Sequence, residues 1–376
     1  MKSNDLELIL DDLPIFSGLS SAQRRFIRNY AQFKEFKKGQ IIYREGSQPD
    51  AFYCLLSGRV LLYTGEEENK TILEYLHRGK YFGIISLLTG EPHSVTAQAV
   101  NDSVLLVIPK EEFNMILEKI PSIAVDLGRS LSRRLKRKDI HQKTIFETTL
   151  IGIFSHTGRN QKNIYSLNLA LGLGEQTKKS AILLEIVPHD TFFSLSKDLE
   201  LEEFEALNIF RKLNLNYSQL KEYIRKSKFN IDFLGISYLP EDKEISRRIL
   251  GILSFLVNDY HYIILDLFSE INKDILYLLN QMDQVHILTN PDEIELRRTN
   301  NLIERLEKEF GFLKEKIKII ITEYKLAKLS YAEERKILGW NVFATLPHVE
   351  GTAFPRLYLD EKNSEYYRTI RRISRQ

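Results

Sequence analysis

The stretch Phe36-Lys-Lys-Gly-Gln-Ile-Ile-Tyr-Arg-Glu-Gly-Ser47, followed by Phe52-Tyr-Cys-Leu-Leu-Ser-Gly-Arg-Val60, decides the first half of the chain. Short runs of Ile, Tyr, Phe and Val are separated by Gly39, Gly46 and Gly58. The pattern continues through Val60 to Tyr63, Ile72 to Leu76 and Ser103 to Ile108. Short strands at regular intervals with glycine turns predict a small antiparallel β-barrel or sandwich. The glycines supply positive φ, which a side chain would penalise.

The whole chain has 376 residues, enough for two domains of ordinary size. Its hydrophobic content of 43% and charged content of 28% exclude a long disordered tract, a collagen-like repeat or a coiled-coil rod. Lys+Arg is 53 and Asp+Glu is 51, a net charge of +2. That balance removes the simplest argument for a dedicated nucleic-acid binder. Cys54 is the single cysteine, so an internal disulfide and a cysteine zinc site are both excluded. Its apolar surroundings predict a buried strand residue in a reducing compartment. No apolar stretch reaches the length of a membrane span, and the acidic start Met-Lys-Ser-Asn-Asp-Leu-Glu does not read as a signal peptide, so the expected location is cytoplasmic. Eight scattered histidines with no His-Glu-x-x-His pattern predict no metal, and no Gly-x-Ser-x-Gly elbow occurs.

Together with Tyr81-Phe-Gly-Ile-Ile-Ser-Leu-Leu-Thr-Gly-Glu-Pro-His-Ser-Val-Thr-Ala97, the opening stretch resembles a cyclic nucleotide-binding domain of the catabolite-activator type. The likeness runs from about Leu13 to Arg137 and implies an eight-stranded jelly roll with helices at both ends. It also implies a pocket. A short helix after Phe-Gly presents backbone N–H groups to the cyclic phosphate, a glutamate directly after that Gly binds the ribose, and an arginine before the Ser binds the phosphate. Here Gly83 and Ser94 remain, but the glutamate position is Ile84 and the arginine position is His93. Two lost hydrogen bonds to charged groups would cost about 3–6 kcal/mol if additive, on the order of a hundred- to ten-thousand-fold in affinity. A histidine with an ordinary pKa of about 6.5 is mostly neutral in a cell and restores little of that. The expectation is that cyclic-nucleotide binding has been lost.

From Pro121 to about Lys138 the period becomes helical, with Ile123, Leu127, Leu131 and Leu135 on one face. That stripe fits either a homodimer seam or docking on the chain's own second domain. The basic run Arg129 to Lys138 reads as a solvated face. No helix-turn-helix follows, which argues against sequence-specific DNA readout.

After the polar link 139–147, strand-like runs alternate with helical ones: Leu150 to Phe154, Asn163 to Leu171, Ser180 to Val187, Tyr262 to Asp266, Ile271 to Asn280, Val285 to Leu288, Glu293 to Glu309 and Lys316 to Ile321. Continuous apolar strands between helices predict a parallel sheet covered on both faces, with ligands beyond the strand C-termini.

The loop Ser155-His-Thr-Gly-Arg-Asn-Gln-Lys-Asn, leading into Asn168-Leu-Ala170, resembles the phosphate loop of the MinD/ParA-type ATPases. In that family the loop reads Lys-Gly-Gly-Val-Gly-Lys-Thr-Thr. The resemblance spans about Thr148 to Gln376. It makes Gly158 the first glycine, Lys162 the phosphate-binding lysine and Asp266 the Walker B aspartate. Asn163 replaces the magnesium-binding threonine, Thr157 the signature lysine, and Arg159 and Gln161 the other glycines. Val187 in Glu185-Ile-Val-Pro188 replaces the water-positioning aspartate, and Thr322 the adenine-contacting asparagine. Leu346-Pro-His348 and Ser364 to Ile373 look like the closing strand and last helix. Taken alone, Lys162 reads as a surface lysine at a helix start and Asp266 as a strand-end acid capping backbone.

The expected fold class is therefore multidomain β plus α/β: a β jelly roll with flanking helices over 1–138, a linker over 139–147, and a parallel-sheet P-loop NTPase-like domain over 148–376. The resemblances imply cyclic nucleotide for the first half and ATP or ADP with magnesium for the second. The substitutions point instead to a non-enzymatic regulatory or positioning protein, a pseudo-ATPase working through protein partners and self-association. The alternatives are a slow ATPase switch gated by a ligand of the first domain, and an adaptor to an anionic membrane surface using Arg129 to Lys138 and Arg368, Arg371, Arg372 and Arg375.

Overall fold

The computed structural model describes residues 13, 15–16, 19–66, 69–128, 148–156, 159–201, 204–210, 217–242, 244–267, 272–310, 312, 314–322, 329–347 and 364–375. Two units divide the chain: Met1–Glu147 with Leu250–Asn258, and Thr148–Ile249 with Asp259–Gln376.

Among the described residues the first unit holds eight strands: β1 (Gln32–Phe36), β2 (Ile41–Tyr43), β3 (Ala51–Ser57), β4 (Val60–Thr64), β5 (Thr71–Leu76), β6 (Tyr81–Phe82), β7 (Thr96–Ala99) and β8 (Ser103–Pro109). They form two four-stranded antiparallel sheets, β1-β8-β3-β6 and β2-β7-β4-β5, a β jelly roll. Helices flank them, among them α1 (Ser21–Arg28), α2 (Ile84–Thr89) and α3 (Lys110–Lys119). A capping box starts α1, with Ser20 and Gln23 satisfying each other's backbone N–H groups. Phe52 of β3 stacks on Phe113 of α3, ring centroids 4.6 Å apart.

Residues 121–128 are helical, and Ile123 and Leu127 are buried in the same core cluster as Phe113 and Ile116. These two members of the apolar stripe therefore serve their own unit's core. Leu131, Leu135, the basic run and the linker lie outside the described residues. Cys54 is fully buried, and burial pushes its thiol up to about 12, so it is an inert core residue.

Gly58 joins β3 to β4 at φ +89°, and a Cβ there would stand 2.6 Å from the Asp102 carbonyl oxygen. Backbone strain and a collision with main chain act together, so Gly58→Ala should lower stability by about 2–3 kcal/mol in urea unfolding.

The second unit is built on β9 (Thr149–Ser155), β10 (Ala181–Pro188), β11 (Leu207–Asn208), β12 (Arg225–Lys226), β13 (Asp232–Tyr238), β14 (Tyr262–Asp266), β15 (Gln284–Thr289), β16 (Ile317–Ile321) and β17 (Val342–Thr345). The order is β11-β13-β10-β14-β9-β15-β16-β17. Every neighbouring pair on that path is parallel, and β12 adds an antiparallel edge to β13. Strand β9 is central, between β14 and β15. Its residues from Leu150 to Ser155 are all buried, because helices cover both faces of such a sheet.

Helix α4 (Arg159–Thr177) follows β9, starting earlier and ending later than its apolar run suggests. Ile164, Tyr165, Leu167, Ala170 and Leu171 are all buried, so α4 lacks a solvent face over these turns and its periodicity is blurred. Helix α5 (Lys273–Gln281) is capped by Asn272, whose side chain accepts from the Ile275 N–H. Helix α6 (Glu293–Phe310) follows β15. Helix α7 (Glu365–Ile373) closes the unit, with Tyr366, Tyr367, Ile370 and Ile373 in the same core cluster as Tyr165 and Leu169 of α4.

Two readings change. The closing strand is Val342–Thr345, upstream of Leu346-Pro-His348; Leu346 donates its N–H to the Ile321 carbonyl, and Pro347 has no N–H with which to continue the ladder. His348 lies outside the described residues. Strand β13 was not anticipated, because Gly235 and Ser237 interrupt its apolar run. Gly235 leaves room for Phe204 and Phe193: a Cβ there would meet the Phe204 ring at 2.2 Å.

His286 of β15 is fully buried, bonded through Nδ1 to the Tyr165 hydroxyl at 2.8 Å, and desolvation pushes its pKa down to about 3, with Lys318 adding to the effect. The unfolded histidine takes up a proton below pH ~6.5 and the folded one does not, so acid favours unfolding across that window. Stability should fall by up to about 2 kcal/mol between pH 7 and pH 5, and His286→Gln should remove that component from the urea-unfolding profile.

Candidate functional site

The C-terminal ends of β9, β10 and β14 lie side by side, with Asp266 in register with Ile153 of β9 and with Glu185 of β10. Ligands of doubly wound sheets bind at this edge. Lys162, in the first turn of α4, reaches Asp266, and the two side chains form an ion pair between Nζ and Oδ1. Both side chains are only 2% exposed. The other carboxylate oxygen of Asp266 accepts from the Ser166 hydroxyl, one helical turn beyond Lys162. Lys162 is therefore not a surface lysine, and Asp266 bonds side chains rather than capping backbone.

Beside this pair, Glu185 accepts three hydrogen bonds, each 3.0 Å long, from the Ser194 N–H, the Ser194 hydroxyl and the Leu195 N–H. Its carboxylate is spent on fixing the loop after β10. Asn163 donates from its amide to the Ser194 hydroxyl, and its buried Oδ1 has no hydrogen-bond partner. Val187 is buried and supplies no oxygen. Thr322 donates its hydroxyl to Asn290 at 2.8 Å, tying together the ends of β15 and β16. The structure thus gathers Lys162, Asn163 and Asp266 at one edge. Thr157 and Gly158 lie outside the described residues.

The sequence reading missed Ser166 and Ser194. Ser166 had a signal, since i+4 from Lys162 is the same helix face. Ser194 had none, being placed by the loop after β10.

In the first unit, Gly83 at φ +73° caps α2. It stands against aromatic side chains: a Cβ there would meet Tyr53 at 3.3 Å, His93 at 3.4 Å and Tyr43 at 3.5 Å. His93 stacks on Tyr43 with ring centroids 3.7 Å apart, and Tyr53 stacks on Phe82 at 5.5 Å. The Gly83 backbone N–H donates toward the Tyr43 hydroxyl, whose pKa burial nevertheless raises. The Tyr53 hydroxyl donates to Asp50 at 2.7 Å. His93 is buried, its Nε2 has no hydrogen-bond partner, and desolvation lowers its pKa against the pull of Asp50. A buried neutral imidazole supplies no positive charge for a phosphate. Ile84 points into the core and Ser94 is exposed. The four candidate residues are thus split: Gly83 and His93 meet over Tyr43, Ile84 joins the packing, and Ser94 faces solvent.

Residues 33–120 match the family model described as "Cyclic nucleotide-binding domain". The match covers the first unit's jelly roll. Relatives agree: the chain is 31% identical over 131 residues to the "Cyclic AMP receptor protein" of Thermus thermophilus, covering 34% of this chain and 59% of that protein. It is 29% identical over 117 residues to a "cAMP-dependent protein kinase regulatory subunit" of Hypocrea atroviridis, covering 31% of this chain and 24% of that protein. The chain therefore spans less than two thirds of the length of either relative. Among solved structures, a "ParA Family ATPase from Chlorobium tepidum TLS" is similar at TM-score 0.50 and 20% identity, over 61% of this chain and 99% of that one. At that identity the likeness shows the fold of the second unit, a ParA-like parallel sheet.

Removing one partner from a buried ion pair leaves an uncompensated charge, which typically costs about 3–5 kcal/mol. Asp266→Asn should lose that much in urea unfolding. The double variant Lys162→Met/Asp266→Leu should recover most of it, because no lone charge is then buried.

Proposed function

We propose that this chain is a non-enzymatic regulatory protein, in which a cyclic nucleotide-binding-type domain is fused to a ParA-like fold that no longer hydrolyses ATP. The observation that carries the reading is the Lys162–Asp266 pair. A phosphate-binding lysine must offer its charge to the incoming anion, and a magnesium-side aspartate must be free for the metal. Here each neutralises the other in a position closed to water. Val187 offers no carboxylate to orient an attacking water, and Glu185 is consumed by Ser194 and Leu195.

The same logic applies to the first unit. The relatives named above are a cyclic AMP receptor and a regulatory subunit of a cAMP-dependent kinase. This chain lacks their expected phosphate arginine and fills the space beside Gly83 with Tyr43, Tyr53 and His93. Cyclic-nucleotide binding is accordingly proposed as lost, and the retained folds as platforms for protein partners, a second copy of the chain included.

One observation favours the slow-ATPase alternative: the buried Asn163 Oδ1 lacks a partner and would suit a ligand donor or a metal ion. The membrane-adaptor reading would rest on charge alone, because α7 spends Tyr366, Tyr367, Ile370 and Ile373 on the core and leaves Arg368, Arg371 and Arg372 exposed. No helix among the described residues is long and apolar enough to cross a membrane.

The deciding experiment measures ATP turnover together with calorimetric titration of ATP, ADP, cyclic AMP and cyclic GMP, with magnesium present. No turnover and no binding tighter than roughly 1 mM, about 4 kcal/mol, is expected. Turnover that disappears in Lys162→Arg, or low-micromolar binding of a cyclic nucleotide, would refute the corresponding half of the proposal.

A further inference from the structure

Helix α4 begins at the Lys162 edge of the sheet and ends at Thr177, roughly 22 Å away at 1.5 Å per residue. At that far end the second unit has a partly open pocket of about 390 Å³. Its walls are the first residues of the three central strands, Thr149 of β9, Tyr262 of β14 and Gln284 of β15, and the last turns of α4 and α7. Small-molecule sites start at about 300 Å³, and this pocket falls in that range.

The lining is amphipathic in an ordered way. Leu169 and Leu173 of α4 and Ile373 of α7 form an apolar wall. His286 and Gln284 face it from β15, joined by a 3.2 Å contact between His286 Nε2 and Gln284 Oε1. At the rim, Arg375 donates through Nε to Gln176 Oε1 at 3.1 Å, and Arg371 donates to the same oxygen at 3.3 Å. Two guanidinium groups therefore converge on one neutral amide. Among the described residues that line it, Arg375 is the only charged group and none is a carboxylate. Guanidinium matches carboxylate geometry in a two-point hydrogen bond, and Gln176 provides only one acceptor for two forks.

We propose that this pocket is a binding site for a small monocarboxylate with an apolar chain, the chain lying against Leu169, Leu173 and Ile373 and the carboxylate held at the rim by Arg375 with Arg371. The site is independent of the Lys162 edge, so its existence does not depend on whether ATP binds there. The buried imidazole of His286 is uncharged and adds no second cation inside, which places the anionic group at the mouth and the chain in the depth.

The test is calorimetric titration of the full chain with hexanoate, hexan-1-ol and hexylammonium, which share a chain and differ in charge. Hexanoate should bind saturably and at least tenfold tighter than the alcohol, with hexylammonium weakest. Arg375→Ala, an exposed substitution, should bring hexanoate down to the level of the alcohol. Leu173→Phe, which fills the apolar end, should weaken hexanoate and hexanol together. Equal binding of the three probes, no saturable hexanoate binding, or an unchanged affinity in Arg375→Ala would overturn the proposal.

Discussion

The buried pair between Lys162 and Asp266 is the constraint around which the second unit's upper edge is arranged. Neither group could be buried alone, because an unpaired charge in a dry interior costs several kcal/mol. The pair is possible only because β14 sits directly beside β9 and α4 returns over that junction. Ser166 completes the carboxylate's hydrogen bonds, as a buried charge requires. The consequence reaches the next strand. Beside Asp266, which α4 engages, Glu185 of β10 holds the start of the loop at Ser194 and Leu195.

The first unit solves a comparable problem without charge. Gly83 keeps the left-handed backbone that would open a helix N-terminus to an anion. Its N–H instead meets the Tyr43 hydroxyl, and the stacked Tyr43 and His93 rings close over it. Gly83 here makes room for aromatic side chains. In both units the candidate residues find their partners within the same chain. A fold by itself does not specify the chemistry of its site.

Much of the fold was legible in the residues because the local signals and the tertiary fold agree. Gly58 demanded positive φ and marks a real turn; the apolar runs at Leu150, Ile182 and Ile263 are long enough to cross a sheet buried on both faces. Strand β13 was not legible, since Gly235 is explained only by Phe204 lying where a side chain would be, and that contact is long-range. The bounds of α4 were blurred for a related reason: a helix buried on several sides carries no clean amphipathic period.

The candidate site shows where sequence stops. Spacing alone placed Lys162 at a helix start and Asp266 at a strand end, and alignment to a motif named them as possible nucleotide ligands. Nothing in the 103 residues that separate them says that they touch. Likewise His93 read as a weakened phosphate ligand, and only the stacking on Tyr43 shows it to be a neutral ring in an aromatic cluster. By itself the sequence determined the two fold classes, because turn chemistry and apolar periodicity are local; which residues depart from an expected ligand set came from the family resemblances. The tertiary structure alone decided what the candidate residues touch, because an ion pair and a ring stack exist only when strand order brings distant side chains within a few ångströms.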